Sequence, residues 1–167
     1  GSSIFERSSH VLDFRLQGNG VSKQILLQGG HNQNLKIDYF EDLFQKIKQR
    51  FDIHLHALSP PEIIHTSRIS KLSLYETITR LKQAGLDSIP GGGAEILVDR
   101  VRNIISPKKC TTDEWIEVME CAHGMDIPST ATMMFGHVET IKERIEHLER
   151  LRNLQDKTQG FTAFITW

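Results

Sequence analysis

The sequence has little cysteine, no excess of charge and no long apolar run, and each shortage excludes a class of protein. Among 167 residues only Cys110 and Cys121 are cysteines, so free thiols are expected rather than a disulfide or a cluster motif. Twenty basic residues balance 21 acidic ones, which does not favour a nucleic-acid partner. No apolar run approaches the roughly 20 residues needed to cross a bilayer, and no signal peptide is visible. We therefore expect a cytoplasmic protein without membrane or nucleic-acid partners.

From about residue 24 the sequence alternates between strand and helix patterns. Short apolar runs that end in glycine or proline predict strands, and apolar residues repeated every three or four positions predict helices. The predicted strands are 24–28, 53–59, 86–89, 129–134 and 161–167, and the predicted helices are 38–51, 73–84, 112–123 and 140–157. Each predicted helix begins with a capping-box pattern. These four patterns start at Asp38, Ser73, Thr111 and Thr140.

Strands separated by helices pair in parallel through right-handed crossovers. The predicted fold is therefore α/β, a partial TIM-type (β/α) barrel of about five parallel strands with flanking helices, because a closed barrel of eight units needs about 250 residues. An open parallel sheet is the alternative. Residues 24–167 are expected to form this barrel domain. Residues 1–23 are expected to be an irregular N-terminal segment, composed of an expression scar and a remnant.

Two segments place polar residues directly after a predicted strand, where barrels carry their chemistry. In 89–97 three glycines precede Glu95. Such a run can bring the backbone close to a ligand, and the carboxylate can accept hydrogen bonds from a ribose diol. In 131–140 the candidates are His137, as a general base, and Glu139. The structural alternatives are a flexible turn with an exposed acid and a histidine at a helix entry.

A second pair of candidates surrounds the predicted strand 53–59. His54 and His56 lie two residues apart and therefore on one face, which suits either a metal pair or one core histidine beside one that lines a pocket. Ser59 and a double proline lead to Glu62, which is either held towards the barrel mouth or stabilised at a helix N-terminus. No P-loop, dinucleotide fingerprint, HExxH motif or nucleophile elbow is present.

Long motifs in this chain resemble those of a known family. They are LLQGG at 26–30, HLHA at 54–57, SPPEI at 59–63, IPGGGAEIL at 89–97, ISPKK at 105–109, ATMMFGHVET at 131–140 and GFTAFI at 160–165. Together they are similar to the radical S-adenosylmethionine (SAM) enzymes of the futalosine route to menaquinone, and most of all to the cyclic dehypoxanthine futalosine synthases. Aminofutalosine synthases and deazaflavin synthase subunits are also similar but differ at the glycine run and at the methionine pair 133–134. The resemblance covers about residues 22–167.

The resemblance implies an activity and a set of residue roles. Enzymes of this kind use SAM and a 4Fe–4S cluster to generate a 5′-deoxyadenosyl radical, which abstracts a ribose hydrogen from dehypoxanthine futalosine before the substrate closes into a spirocycle. By motif, Gly29 and Gly30 flank the methionyl part of SAM. Glu95 and Thr132 line the space between cofactor and substrate. The expected substrate-side residues are His54, His56, Ser59, Glu62, His137 and Glu139, of which Glu62, His137 and Glu139 are the catalytic candidates.

One departure from the family bears on activity. The family holds its cluster with three cysteines spaced CxxxCxxC, and this chain does not contain them. We therefore expect a partial chain that does not bind the cluster and is inactive by itself, with a homodimer formed through an exposed strand edge. Two alternatives remain open. One is a zinc-dependent hydrolase that uses His54 and His56 with His137 or Glu139, and the other is a non-catalytic remnant that binds a nucleoside or only self-associates.

Overall fold

A computed structural model describes residues 22–167 of the chain. The predicted irregular segment 1–23, with its scar and remnant, therefore lies outside the described residues except for its last two positions. The strands are β1 (Gln24–Leu27), β2 (His54–Ala57), β3 (Ser129–Met133) and β4 (Phe161–Thr166). The helices are α1 (Ile37–Arg50), α2 (Pro60–Ser70), α3 (Leu74–Ala84), α4 (Asp99–Ile105), α5 (Thr112–His123) and α6 (Ile141–Thr158).

The strands run in parallel, as predicted, and they follow one another in chain order. β1 pairs with β2 with Leu26 opposite His56, and β3 pairs with β4. The predicted strand 86–89 makes only isolated parallel bridges, from Ser88 to His56 and from Ile89 to Ser129. The bridges do not continue beyond Ile89, because Pro90 has no N–H with which to extend a ladder. The described residues therefore form two two-stranded parallel sheets joined by this bridge segment, and a five-stranded barrel is not formed.

Two helices are absent from the prediction, α2, which follows β2, and α4, which follows the loop 91–97. The pair Pro60 and Pro61 was interpreted as the end of a strand, but proline fits the first turn of a helix, where its missing N–H costs nothing. It begins α2, and Ser59 and Glu62 form the capping box there. The box predicted at Asp38 is wrong, because α1 begins after Lys36 with no side-chain cap. The short helix α4 escaped detection because it has only seven residues.

The main hydrophobic core of the described residues lies between the strands and the helices. Leu55 and Ala57 of β2 are fully buried against helix residues such as Phe44, Ile78 and Trp115. Alternate side chains of a strand point to opposite faces, so His54 and His56 lie on the other face of the sheet. We call this face, which also carries Ser88, Thr130 and Thr132, the inner face. None of the helices within residues 22–167 is long and apolar enough to cross a membrane.

Candidate functional site

The carboxyl ends of the parallel strands meet at one edge of the molecule, and Glu62 joins two of them. Its Oε1 accepts a hydrogen bond from the Gly29 N–H at 2.7 Å, while Oε2 accepts from the N–H and the hydroxyl of Ser59. Glu62 is only 6% exposed. The carboxylate therefore fixes the loop after β1 to the N-terminus of α2, where its charge also complements the helix dipole. Of the two alternatives considered for Glu62, the structure shows the position at a helix N-terminus.

The glycine run 91–93 packs against the protein itself. A Cβ at Gly91 would lie 2.5 Å from the Thr130 carbonyl oxygen, and one at Gly93 would lie 2.4 Å from Cγ of Pro61. Gly93 also has a φ of +76°, which an L side chain rarely adopts. The glycines are therefore required for close contact between neighbouring strand ends. This close packing, rather than space for a ligand, explains the run.

Glu95 follows the glycine run in a left-handed conformation, with a φ of +42°. Its carboxylate forms an ion pair with Lys109, and its carbonyl oxygen accepts a hydrogen bond from the Met134 N–H at 3.0 Å. The side chain is 6% exposed, so the prediction of an exposed acid on a flexible turn is wrong. A non-glycine residue with positive φ persists only where its surroundings hold it. Here the ion pair with Lys109 and the hydrogen bond from Met134, directly after β3, hold Glu95.

Arg102 is the residue that the sequence interpretation missed. It lies on α4, is 2% exposed and donates to the carbonyl oxygens of Gly93, Ala94 and Cys110. A buried guanidinium must satisfy its donors, and here backbone carbonyls accept from it. Arg102 therefore joins the glycine loop to the loop that carries Lys109. No short sequence motif predicts that Arg102 joins these loops, since its partners are backbone atoms.

Thr132 and His147 hold the other side of the same loop. The Thr132 hydroxyl donates to the Gly91 carbonyl, and Nδ1 of the fully buried His147 accepts from the Leu97 N–H at 2.9 Å. Within the described residues Nε2 of His147 is buried without a hydrogen-bond partner. Burial lowers the pKa of this imidazole to about 4, so at neutral pH the ring is uncharged and can act as an acceptor.

His137 and Glu139 lie at the carboxyl end of β3 and have different environments. His137 is exposed, and its backbone N–H donates to the Glu139 carboxylate at 2.9 Å. Glu139 also accepts from the Gly136 N–H and from Arg144. These donors, led by the Gly136 N–H, lower the pKa of Glu139 to about 2. A carboxylate held in this way is a poor proton acceptor at neutral pH. Its hydrogen bonds instead fix the loop that follows β3.

His54 and His56 both contact the hydroxyl of Ser88. Nε2 of His54 lies 2.7 Å from Ser88 Oγ, and Nδ1 of His56 lies 2.6 Å from the same atom. His54 is exposed while His56 is 9% exposed. Within residues 22–167 no group of three His, Cys, Asp or Glu side chains is placed to hold a metal ion. The zinc alternative therefore gains no support from the described part of the chain.

A cleft of about 530 Å³ opens beside the loop after β1. Gly29, Gly30 and His31 line it together with Glu62 and apolar side chains of α1. This volume lies in the range of small-molecule sites, and no atom lies within 4 Å of where a Gly30 Cβ would be. The cleft is therefore large enough to admit a small molecule. The structure thus gathers Gly29, Gly30, Ser59, Glu62, Glu95, Thr132 and His137 at the carboxyl edge, while His54 begins its strand at the opposite end.

The residues present do not fit an iron–sulfur cluster. Such a cluster is anchored by cysteine thiolates. Cys110 is buried, and its burial raises the pKa of the thiol to about 11, while Cys121 lies in a groove with Tyr75 and Glu117. As predicted, both are free thiols. The described residues therefore offer no thiolate set for the cluster, and no chemical step is assigned to it.

With this geometry in place, comparison with known proteins identifies the family. The profile of the radical SAM superfamily matches residues 10–151. The chain belongs to this superfamily. The resemblance inferred from the motifs is thereby confirmed, and SAM and a 4Fe–4S cluster are the cofactors that the family implies. The family is built on a TIM-like barrel, with which the parallel strands and flanking helices agree.

Similar proteins carry three different names. A 5-amino-6-(D-ribitylamino)uracil–L-tyrosine 4-hydroxyphenyl transferase of Methanosarcina barkeri is 48% identical over 85% of this chain and 38% of its own length. A cyclic dehypoxanthine futalosine synthase of Streptomyces coelicolor is 47% identical over 86% of this chain and 36% of its own. An aminodeoxyfutalosine synthase of Thermus thermophilus is 43% identical over 85% and 38%. The chain thus spans less than half the length of these relatives, and the expectation of inactivity gains no support from them.

Proposed function

We propose that this chain forms the ligand-binding edge of a radical SAM enzyme that acts on a small nucleoside-type substrate. The observation that carries the proposal is the convergence of Gly29, Glu62, Glu95 and Thr132 at the carboxyl ends of parallel strands, in a chain that belongs to this superfamily. Carboxyl strand ends are the position at which barrel enzymes bind and transform their ligands.

The specific function that we propose is cyclisation of dehypoxanthine futalosine by the complete protein. Relatives of that name in Streptomyces coelicolor and Halalkalibacterium halodurans are 47% and 46% identical to this chain. The glycine run 91–93 and the methionine pair 133–134 support it, because they are the positions at which the resemblance separates the cyclic dehypoxanthine futalosine synthases from the aminofutalosine synthases and the deazaflavin synthase subunits. Met133 is buried in the small cluster with Ile96 and Val101, so packing accounts for one methionine of the pair.

We assign the candidate residues to two sides of the proposed site. Gly29 and Gly30 would hold the methionyl part of SAM beside the cleft, and Glu95 and Thr132 would lie between cofactor and substrate. On the substrate side, His56, Ser59 and His137 would contact the ligand, and His137 is the exposed candidate for proton transfer. Glu62 and Glu139 would act mainly by fixing their loops, because their carboxylates already accept several hydrogen bonds.

A second candidate function is transfer of the 4-hydroxyphenyl group of tyrosine to a ribitylaminouracil. It is favoured by relatives named for that reaction in Methanosarcina barkeri and Methanosarcina mazei, each 48% identical to this chain. Both candidate substrates pair a polyol or ribose with an aromatic ring. The polar side chains at the carboxyl edge suit the hydroxyl groups of either substrate, so the choice rests on direct measurement.

The test uses the complete protein, reconstituted anaerobically with iron and sulfide. Calorimetry measures SAM binding, and chromatography measures 5′-deoxyadenosine after reduction with either dehypoxanthine futalosine or the ribitylaminouracil plus tyrosine. Product from the first substrate alone supports the proposed cyclase, and product from the second alone supports the transferase. Failure of the complete protein to bind SAM or to form 5′-deoxyadenosine with either substrate would contradict the proposal. Applied to the 167-residue chain alone, the same measurements decide whether it is inactive by itself.

A further inference from the structure

The inner face carries a continuous chain of polar atoms, of which the proposed function uses only His56. It runs from His54 through the hydroxyl of Ser88 to His56, with nitrogen–oxygen distances of 2.7 and 2.6 Å. The parallel bridge between His56 and Ser88 places these two residues side by side, and the period of the strand places His54 on the same face. Backbone pairing, and not only side-chain rotamers, therefore holds the three groups together.

The burial of the three residues changes along this chain. His54 is exposed at the start of β2, while Ser88 and His56 are 7% and 9% exposed. Nε2 of His56 makes no hydrogen bond to any residue within 22–167, and it is not among the buried atoms without a partner. One end of the chain thus meets solvent, and the other end presents a ring nitrogen at the inner face, the side of the sheet on which His56 is proposed to contact the ligand.

The hydrogen count of the three groups links their tautomers. Ser88 has one hydroxyl proton, and the structure records no acceptor for it in the described residues other than these two rings. If the hydroxyl donates to Nδ1 of His56, then His54 must donate from Nε2, and both rings carry their proton on Nε2. If the hydroxyl donates to Nε2 of His54, both rings carry it on Nδ1. The two rings therefore change tautomer together.

We propose that His54, Ser88 and His56 form a proton relay between solvent and the ligand at the inner face, an inference that rests on the proposed function. When Nε2 of His56 gives its proton to the ligand, the Ser88 proton moves to Nδ1 of His56. The proton on Nε2 of His54 then moves to Ser88, and Nδ1 of His54 takes one from water. One proton enters for each that leaves, and no electron moves. The reverse sequence removes a proton from the ligand.

The first test is nitrogen-15 NMR of the imidazole rings in the 167-residue chain, without cofactor or substrate. Above the pH at which both rings are neutral, we expect His54 and His56 to show the same tautomer populations. Ser88→Ala should make those populations independent, while Ser88→Thr, which keeps a hydroxyl, should restore the match. Different tautomers in the unsubstituted chain, or identical spectra for the Ser88→Ala variant, would overturn the relay. These readouts need no catalytic activity, so they separate failure of the relay from failure of the proposed function.

The second test measures turnover of the complete protein. Ser88→Ala should lower kcat by about tenfold or more, in the range of lost acid–base assistance, with KM within about twofold, while Ser88→Thr should recover most of the rate. Ser67→Ala is the matched control, since Ser67 is a buried serine that donates to the Leu72 carbonyl. Unchanged kcat in Ser88→Ala would overturn the relay. Absence of 5′-deoxyadenosine from the unsubstituted protein would instead refute the proposed function.

Discussion

At the scale of single residues, the loop 91–97 is held by side chains from other segments of the chain. Arg102 donates to the carbonyls of Gly93 and Ala94, and His147 accepts from the Leu97 N–H. Lys109 pairs with the carboxylate of Glu95. An unsatisfied buried polar group is costly. Removing one of these partners should therefore destabilise the chain more than a substitution on the exposed surface does.

The chain should become less stable as the pH is lowered, because of His147. Its pKa is lowered from 6.5 to about 4 in the folded chain, so the unfolded chain binds a proton that the folded chain does not. The free energy of unfolding should therefore decrease as pH falls from 6.5 to 4, by roughly 3 kcal/mol from this residue. Urea unfolding at a series of pH values measures the slope.

The control for this prediction is His147→Asn, whose side-chain oxygen can accept from the Leu97 N–H without titrating. Burial also lowers the pKa of His56 and His123, and those residues will remain in the variant. The difference between the two pH profiles is therefore the quantity that belongs to His147. Parallel profiles for the two proteins would show that His147 does not titrate in this range.

Gly93→Ala should destabilise the chain by about 3 kcal/mol, which combines the strain of a positive φ with overpacking against a neighbour. The new Cβ would lie 2.4 Å from Cγ of Pro61. Gly30→Ala is the matched control, because nothing lies within 4 Å of its Cβ position. Thermal and urea unfolding of both variants measure the difference. Equal stability would show that the glycine run is not set by packing.

At the scale of secondary-structure elements, capping boxes position the helices on the strand ends. The boxes at Ser73, Thr111 and Thr140 lie where the sequence predicts them. The fourth lies at Ser59 rather than at Asp38. This box differs from the other three because its acid also binds the loop of another strand.

Glu62→Ala should therefore cost more than removal of an ordinary capping-box acid. Glu62 accepts from Gly29 and Ser59 while nearly buried, and charged hydrogen bonds contribute about 1.5–3 kcal/mol each. Glu76→Ala is the control, since Glu76 is exposed and bonds only within its own box. We expect about 3 kcal/mol for Glu62→Ala and about 1 kcal/mol or less for Glu76→Ala. Similar losses in urea unfolding would refute a bridging role for Glu62.

At the scale of the whole molecule, the sheet has two open edges within residues 22–167. No described strand pairs with the outer side of β1 or of β4. In and just after β4, Phe164, Ile165 and Trp167 are 47%, 47% and 56% exposed. Open edges with exposed apolar side chains promote association between copies, here copies of the 167-residue chain.

We predict that the 167-residue chain associates as its concentration rises, measured by sedimentation velocity. Ile165→Lys should shift the midpoint of association to higher concentration, because a lysine on an edge strand opposes pairing. Ile104→Lys provides the matched control, since Ile104 is 55% exposed on α4, away from the strand edges. An equal effect of both substitutions, or a monomer at all concentrations, would contradict association through β4.

The sequence by itself determined the order of most elements, the parallel pairing and the superfamily. Apolar periodicity and three capping boxes placed α1, α3, α5 and α6 to within a residue or so, because these signals are local. The strand ends also indicated the edge on which candidate glycines and acids would lie, since parallel strands share one carboxyl edge.

Only the tertiary structure decided how the site is held. Arg102 and His147 were not singled out by any motif, because their partners are carbonyl and N–H groups that lie far from them in space until the chain folds. The same holds for Ser88, whose hydroxyl meets His54 and His56 only through a parallel bridge between segments 32 residues apart. Backbone groups carry no sequence signature, so contacts to them emerge only from the fold.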